Sequence, residues 1–332
     1  MRALRITSLV LLIGGFLLEG KSQGFETIFG SEEVLRIRLE TAMDPLLSDR
    51  SDTTDYQGAT IRFEQGGKKI TRKALVKIRG NFRRDPNNCA FPPIRLKIPK
   101  KEAKGTLFQG HTKFKLVTHC QLETYVLKEY LLYKLYQRLS PWSYQVRLAK
   151  ITYRDSEKGV PTETAFAFFI EDEKPISERM KAKEIKSDAW EDPQISRKNL
   201  VKVATFEYMI GNLDWGVYKR KNLKIFQPEK GGPGFVTPYD FDFSGVVNAS
   251  YTGIPQGFNR RKLRPLCYQP EETRAVRHEF LSQEKAFEDI VLNCRHLSKK
   301  ARQEMWAYLS GFLEVLRDET ATLALYEAAC EY

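Results

Sequence analysis

Gly211-Asn212-Leu213-Asp214-Trp215, Asn222-Leu223-Lys224 and Tyr239-Asp240-Phe241-Asp242-Phe243 follow one another within 33 residues of a 332-residue chain. Ahead of them, Leu200 to Ile210 carries apolar residues at helical spacing, which predicts a helix closed by Gly211 in a left-handed cap. Leu223–Phe226 and Gly234–Thr237 read as short strands around the Gly231-Gly232 turn. Asp214 therefore falls in a loop just after a helix, Asn222 at the start of a strand, and Asp240 at the end of the next.

Each residue has an ordinary alternative, a capping or turn Asp or a loop Asn. Their order points further. Phosphoryl transfer in the protein-kinase pattern needs an Asp to orient the attacking hydroxyl, then an Asn and a second Asp as oxygen donors to a metal ion. The usual Asp-to-Asn spacing there is about five residues; here it is eight. Asp240 and Asp242, at i and i+2 of a segment read as extended, are expected on one side. The aromatic residues Tyr239, Phe241 and Phe243 around them argue against a fully solvated turn. Trp215 reads as a packing residue.

Working outward, the first part of the chain alternates between β-like runs and polar turns. Val34 to Leu39 alternates with period two, residues 59–79 read as a hairpin about Gly66-Gly67, and Met43 to Tyr56 reads as an exposed loop. Asn81 to Pro93 reads as a polar loop before a strand over Ile94–Ile98. Phe114–Val117 is a predicted strand, Glu123 to Leu139 a strong amphipathic helix, and Ser143–Tyr153 and Thr162–Ile170 two further strands. From Pro270 onward the pattern is helical. Arg79 before Gly80, Arg95 and Lys97 on one strand face, and Lys115 on the next are candidate ligands for nucleotide phosphates, with Glu123 or Glu129 as an ion-pair partner. Solvated strand-face lysines are the bland alternative.

Residues 1–24 have the form of a secretory signal: Arg2 and Arg5, an apolar run from Ile6 to Leu18, and Ser22 and Gly24 at the cleavage positions. The run falls short of the ~20 residues a spanning helix needs, so the expected destination is periplasmic or extracellular. The formal charge of +12 suits polyanionic partners without choosing one, and no nucleic-acid motif accompanies it. Of the five cysteines, Cys89 in a loop and Cys120 at a strand end are the expected disulfide pair. The spacing of cysteines and of the four histidines argues against zinc. There is no Gly-x-Ser-x-Gly, P-loop or dinucleotide fingerprint.

Lys77-Ile78-Arg79-Gly80-Asn81, Pro93-Ile94-Arg95-Leu96-Lys97 and the three motifs of residues 211–243 together resemble the spore-coat protein H (CotH) kinase family, over residues 75–245. The sequence departs from that pattern in the longer basic loop Lys219-Arg220-Lys221 and in the Asn-Phe-Arg-Arg run after Gly80. The resemblance implies an α+β, protein-kinase-like two-lobed fold: a β-rich N-terminal lobe over residues 25–170, a connector over 171–195, and a mainly helical lobe over 196–332 carrying the acidic site. It implies Asp214 as the catalytic residue and Asn222 and Asp240 as metal ligands, with Asp242 a second acidic candidate; the nucleotide-side candidates remain those read from the strands and helix, Arg79, Arg95, Lys97, Lys115 and Glu129. ATP and Mg²⁺ are the implied cofactors, and an unidentified protein with Ser/Thr hydroxyls the implied substrate. Two other classes stay open: a catalytically weak kinase-fold binding module of the cell envelope, and a metal-dependent nuclease, which would need a lysine beside its carboxylates.

Overall fold

Seven strands close into a barrel in the order β1-β2-β3-β4-β5-β7-β6. They are β1 (Leu35–Thr41), β2 (Gln57–Gln65), β3 (Lys68–Ile78), β4 (Ile94–Lys97), β5 (Lys113–Val117), β6 (Val146–Asp155) and β7 (Pro161–Ile170). The computed structural model describes residues 27–329 apart from 52, 187–194, 218, 256–257 and 265. The signal segment at 1–24 and Cys330 lie outside the described residues. No helix among them is long and apolar enough to cross a membrane.

Alternation writes the barrel wall. In β1 the inward Leu35, Ile37 and Leu39 are buried and the outward Arg36 and Arg38 exposed, as a two-residue side-chain period requires. The expected hairpin forms between β2 and β3, with Gly66 and Gly67 at φ +57° and +71°. Two successive positive φ values are what a tight hairpin turn demands and glycine supplies. Closure comes from β1 pairing in parallel with β6, Leu35 opposite Ala149 through Thr41 opposite Asp155. The barrel interior, with Phe63, Phe108, Phe114 and Phe169, forms one hydrophobic core.

The second core lies outside the barrel wall, and the amphipathic helix α3 (Glu123–Leu139) joins it with Val126, Leu127, Tyr130, Leu135 and Leu139 buried. Also in this core are α5 (Arg197–Ile210), a sheet of order β10-β9-β8, and four C-terminal helices. The sheet comprises β8 (Ala182–Glu184), β9 (Leu223–Pro228) and β10 (Phe235–Pro238). The helices are α6 (Pro270–Ser282), α7 (Glu284–Leu292), α8 (Lys299–Arg317) and α9 (Glu319–Ala328).

The mixed α+β class stands, with three corrections. The β-rich part, expected as the N-terminal lobe of a two-lobed fold, is a closed barrel. Met43–Ser48, read as loop, is the short helix α1, because Met43 and Leu46 find burial at the barrel end. The connector read at 171–195 contains a helix, α4 (Glu173–Met180), and β8, which pairs along β9.

Candidate active site

α5 ends where the sequence places its cap, with Gly211 at φ +67°. Asn212 then turns the chain. It is buried, its backbone N–H donates to Glu207 O (2.8 Å), its Nδ2 donates to Glu207 Oε2 (2.9 Å), and its Oδ1 accepts from the Asp214 N–H (2.9 Å). Arg264 Nη2 donates to the carbonyls on either side of Asp214, Leu213 O at 2.6 Å and Trp215 O at 2.8 Å. Asp214 is thus fixed through its own backbone and both neighbours. Glu207 is fully buried, one of its oxygens has no partner, and burial pushes its carboxyl up to about 8 against the donation from Asn212. It stands neutral beneath the loop at pH 7.

The eight-residue spacing from Asp214 to Asn222 has a simple structural answer. Gly216 and Lys221 exchange backbone hydrogen bonds of 3.0 and 2.9 Å, closing the additional residues into a turn and returning Asn222 to Asp214. Asn222 Nδ2 donates to Asp214 O at 2.7 Å and to Oδ2 at 3.0 Å. The Lys221 ammonium pairs with Asp214 Oδ1. Both oxygens keep lone pairs to accept from a further donor, and the side chain is 27% exposed.

The second acidic motif is held from α3. Tyr133 Oη accepts from the Asp240 N–H (2.9 Å) and Lys128 Nζ donates to Val246 O (3.1 Å). The segment is not extended as the sequence suggested, since Asp240 has φ +64°. Its two carboxylates meet all the same, at a residue the sequence reading passed over. Arg83 Nη2 lies 2.7 Å from Asp240 Oδ1, Nε 3.3 Å from Asp242 Oδ2, and Nη1 3.3 Å from Glu129 Oε2. Tyr251 Oη donates to Asp242 Oδ2 at 3.0 Å. Burial works against the Arg83 charge, but the three carboxylates more than offset it and hold the guanidinium firmly cationic.

Glu129 is therefore not the partner of Arg79, Arg95, Lys97 or Lys115; Arg83 takes it, while Glu123 pairs with Lys150 at 2.6 Å. The basic candidates lie on the outer barrel face in a row set by register, Lys77 opposite Arg95 and Arg95 opposite Lys115. Arg95 pairs with Asp172 at 3.0 Å and the buried Lys115 with Glu173. Burial would raise the Glu173 carboxyl, but Lys115 beside it brings it down to about 2. Lys97 sits a rung away, over the Tyr56 ring at 5.8 Å, outside the cleft.

Arg79, Arg95, Asp214, Asn222, Asp240 and Asp242 line one cleft of about 730 Å³. Tyr239 and Arg220 are shared with an adjoining groove of about 840 Å³ whose walls include Leu223, Ile225, Glu173 and Lys224. The two acidic loops are also bonded to each other, Gly245 N–H to Gly211 O at 2.9 Å and Val246 N–H to Ile210 O at 3.2 Å. The Tyr308 hydroxyl is wedged against both glycines, where a Cβ would lie 2.1 and 2.4 Å from it.

Among the described residues, no three His, Cys, Asp or Glu side chains are grouped as a metal cage. Mg²⁺ does not require one, since it is commonly held by one or two carboxylates and the phosphates of a substrate. The donor set fits that mode. Burial pushes Glu129 up to about 8 and Asp242 up to about 6 against the pull of Arg83, which leaves Asp240 as the most exposed carboxylate of the cluster. Asp240, whose side chain is 39% exposed, and the Asn222 amide oxygen are the hard donors lining the cleft. Asp242, 3% exposed and held by Arg83 and Tyr251, is the inner carboxylate. The one sequence signal for Arg83 was the Asn-Phe-Arg-Arg departure after Gly80. No local pattern marks an arginine whose partners lie 46 and 157 positions away.

No family model matches the chain, and no curated protein matches it. Among solved structures it is similar to the Helicobacter pylori proinflammatory kinase CtkA, with 10% identity and a TM-score of 0.37, over 80% of this chain and 94% of that one. It is also similar to the Golgi casein kinase, with 11% identity and a TM-score of 0.38, over 91% of this chain and 76% of that one. With Mn/ADP bound, the Golgi casein kinase gives 10% identity and a TM-score of 0.37, over 91% and 75%. At these TM-scores the likenesses carry no part of the functional argument, which rests on the geometry of the cleft.

Proposed function

We propose that the chain is an exported, CotH-like phosphotransferase that moves the terminal phosphoryl group of Mg-ATP to a Ser or Thr hydroxyl of a protein. The observation that carries this reading is the meeting, in one cleft, of the rigidly held Asp214–Asn222 pair with Asp240 beneath a basic strand face. Export rests on the pattern of residues 1–24.

Asp214 accepts the proton of the substrate hydroxyl as its oxygen forms the new bond to phosphorus, and ADP departs. Lys221, paired with that carboxylate, lies where negative charge gathers on the phosphoryl oxygens. Arg79 and Arg95 orient the remaining phosphates, and the apolar wall of Leu223, Ile225 and Tyr239 receives the base, while Lys115, buried against Glu173, lines neither space. Asp240 and the Asn222 amide oxygen would hold a divalent cation, which would supply neutralisation of charge on the phosphates. Arg83 and Glu129 fix Asp240 against α3 and thereby couple the barrel-side residues to the acidic loop.

Thermal unfolding with and without ATP and Mg²⁺, together with transfer of labelled γ-phosphate, tests the reading. The wild type is expected to be stabilised by nucleotide and to transfer phosphate. Asp214→Ala is expected to bind nucleotide without transfer, and Asp240→Ala to lose metal-dependent binding. A wild type that nucleotide does not stabilise overturns the proposal. The nuclease alternative gains one observation, Lys221 beside Asp214; nucleic-acid cleavage abolished by Asp240→Ala would favour it.

A further inference from the structure

A third pocket adjoins the Asp214 loop. The residues flanking that aspartate, Leu213 and Trp215, form part of its wall with Val217 and Leu266, and its volume is about 430 Å³. Lys221 lines both this pocket and the cleft, and its ammonium pairs with the Asp214 carboxylate. We propose that this pocket docks the phosphate acceptor, taking one large apolar side chain from an acidic peptide segment whose hydroxyl then reaches Asp214. The assignment rests on the phosphotransfer reading and adds a substrate class to it.

The lining sets the chemistry of the occupant. Leu213, Trp215, Val217 and Leu266 are apolar, and the charges beside them are one-sided. Lys219, Lys221 and Arg264 line the pocket with no acidic residue among its described lining. Lys221 is engaged by Asp214, and Arg264 by two backbone carbonyls. Lys219 is exposed and has no ion-pair partner among the described residues. Apolar walls and an uncompensated lysine at the rim match a bulky aliphatic or aromatic side chain next to a carboxylate. The volume lies toward the small end of the ~300–1,000 Å³ range of ligand sites.

Fluorescence anisotropy of a fluorescein-labelled peptide containing Ser-Glu-Leu-Glu, titrated with the full chain without nucleotide, tests this directly. Saturable binding is expected, weakened about tenfold or more by Leu-to-Ala or Glu-to-Gln changes in the peptide. Lys219→Glu, at an exposed position, and Leu266→Asp are expected to weaken it similarly while circular dichroism stays native. Asp214→Ala is expected to keep binding. Peptide binding with no phosphate transfer by the wild type would sink the phosphotransfer reading and leave the pocket standing. Phosphate transfer that ignores the Leu, the Glu and Lys219 would sink the pocket and leave the phosphotransfer reading standing. Displacement of the peptide by oleate at lower concentration than by unlabelled peptide would reassign the pocket to an acidic lipid and overturn the proposal.

Discussion

Replacing Arg83 by Met tests whether one buried guanidinium holds the acidic half of the site together. The side chain is 8% exposed and lies within 2.7–3.3 Å of Asp240, Asp242 and Glu129. Methionine preserves much of the stem volume and removes the charge. Asp242, 3% exposed, would then be a buried carboxylate without its cation, and Glu129, 1% exposed, would lose its hydrogen-bond donor. Breaking a buried pair from one side costs roughly 3–5 kcal/mol, a large part of the ~5–15 kcal/mol by which a domain is usually stable. Urea unfolding at constant pH, followed by intrinsic fluorescence, should show a lower midpoint with little change in slope. Asp242→Asn in the Arg83→Met background should return at least about 1 kcal/mol, because it removes a stranded charge; in the wild-type background it should not stabilise. Such coupling is the mark of residues in one network. A loss below about 1 kcal/mol for Arg83→Met, or strict additivity with Asp242→Asn, would refute the reasoning.

Other expectations follow from the same geometry. Glu207 is pushed up to about 8 from an ordinary 4.5, so the folded state favours its protonated form. Stability from this group is therefore lost as pH rises from about 4.5 toward 8. At ~1.4 kcal/mol per unit the loss is at most about 5 kcal/mol. Glu207→Gln, which still accepts from Asn212, should gain on the wild type as pH rises through that window; urea midpoints at pH 5 and 8.5 that shift in parallel would contradict this. Gly211→Ala should destabilise by about 2 kcal/mol or more, since it adds a Cβ at φ +67° that meets the Tyr308 hydroxyl. Tyr308→Phe should recover part of that loss in thermal unfolding. Reducing the Cys89–Cys120 bond, which spans 31 positions, should lower stability by roughly 3–4 kcal/mol on chain-entropy grounds, measured by urea unfolding with and without reductant.

Local periodicity and turn chemistry made much of the architecture legible. The helix read over Glu123–Leu139 has those same bounds, although it is not the one-faced helix its spacing suggests: Val126 through Tyr133 are buried without a break, because β6, β7, α5 and α7 pack around it. Gly66-Gly67 and Gly211 mark a hairpin and a helix end for the reason that other residues are strained there. Where burial depends on distant partners, the reading failed. Met43–Ser48 looks like a polar loop until Met43 and Leu46 meet the barrel. Asn81 to Pro93 looks solvated until Arg83 turns inward.

The sequence by itself determined the order of Asp214, Asn222 and Asp240 and the helix and strands on which they end, since these depend on neighbours within a few positions. Only the tertiary structure decided that β1 pairs with β6 to close a barrel, more than a hundred positions apart. It alone decided that Arg83 rather than a strand lysine faces Glu129, and that Gly216 and Lys221 fold the long loop back to Asp214. The physical reason is common to all three. A charge or a strand edge seeks its partner through desolvation and geometry, and neither leaves a period in the chain that carries it.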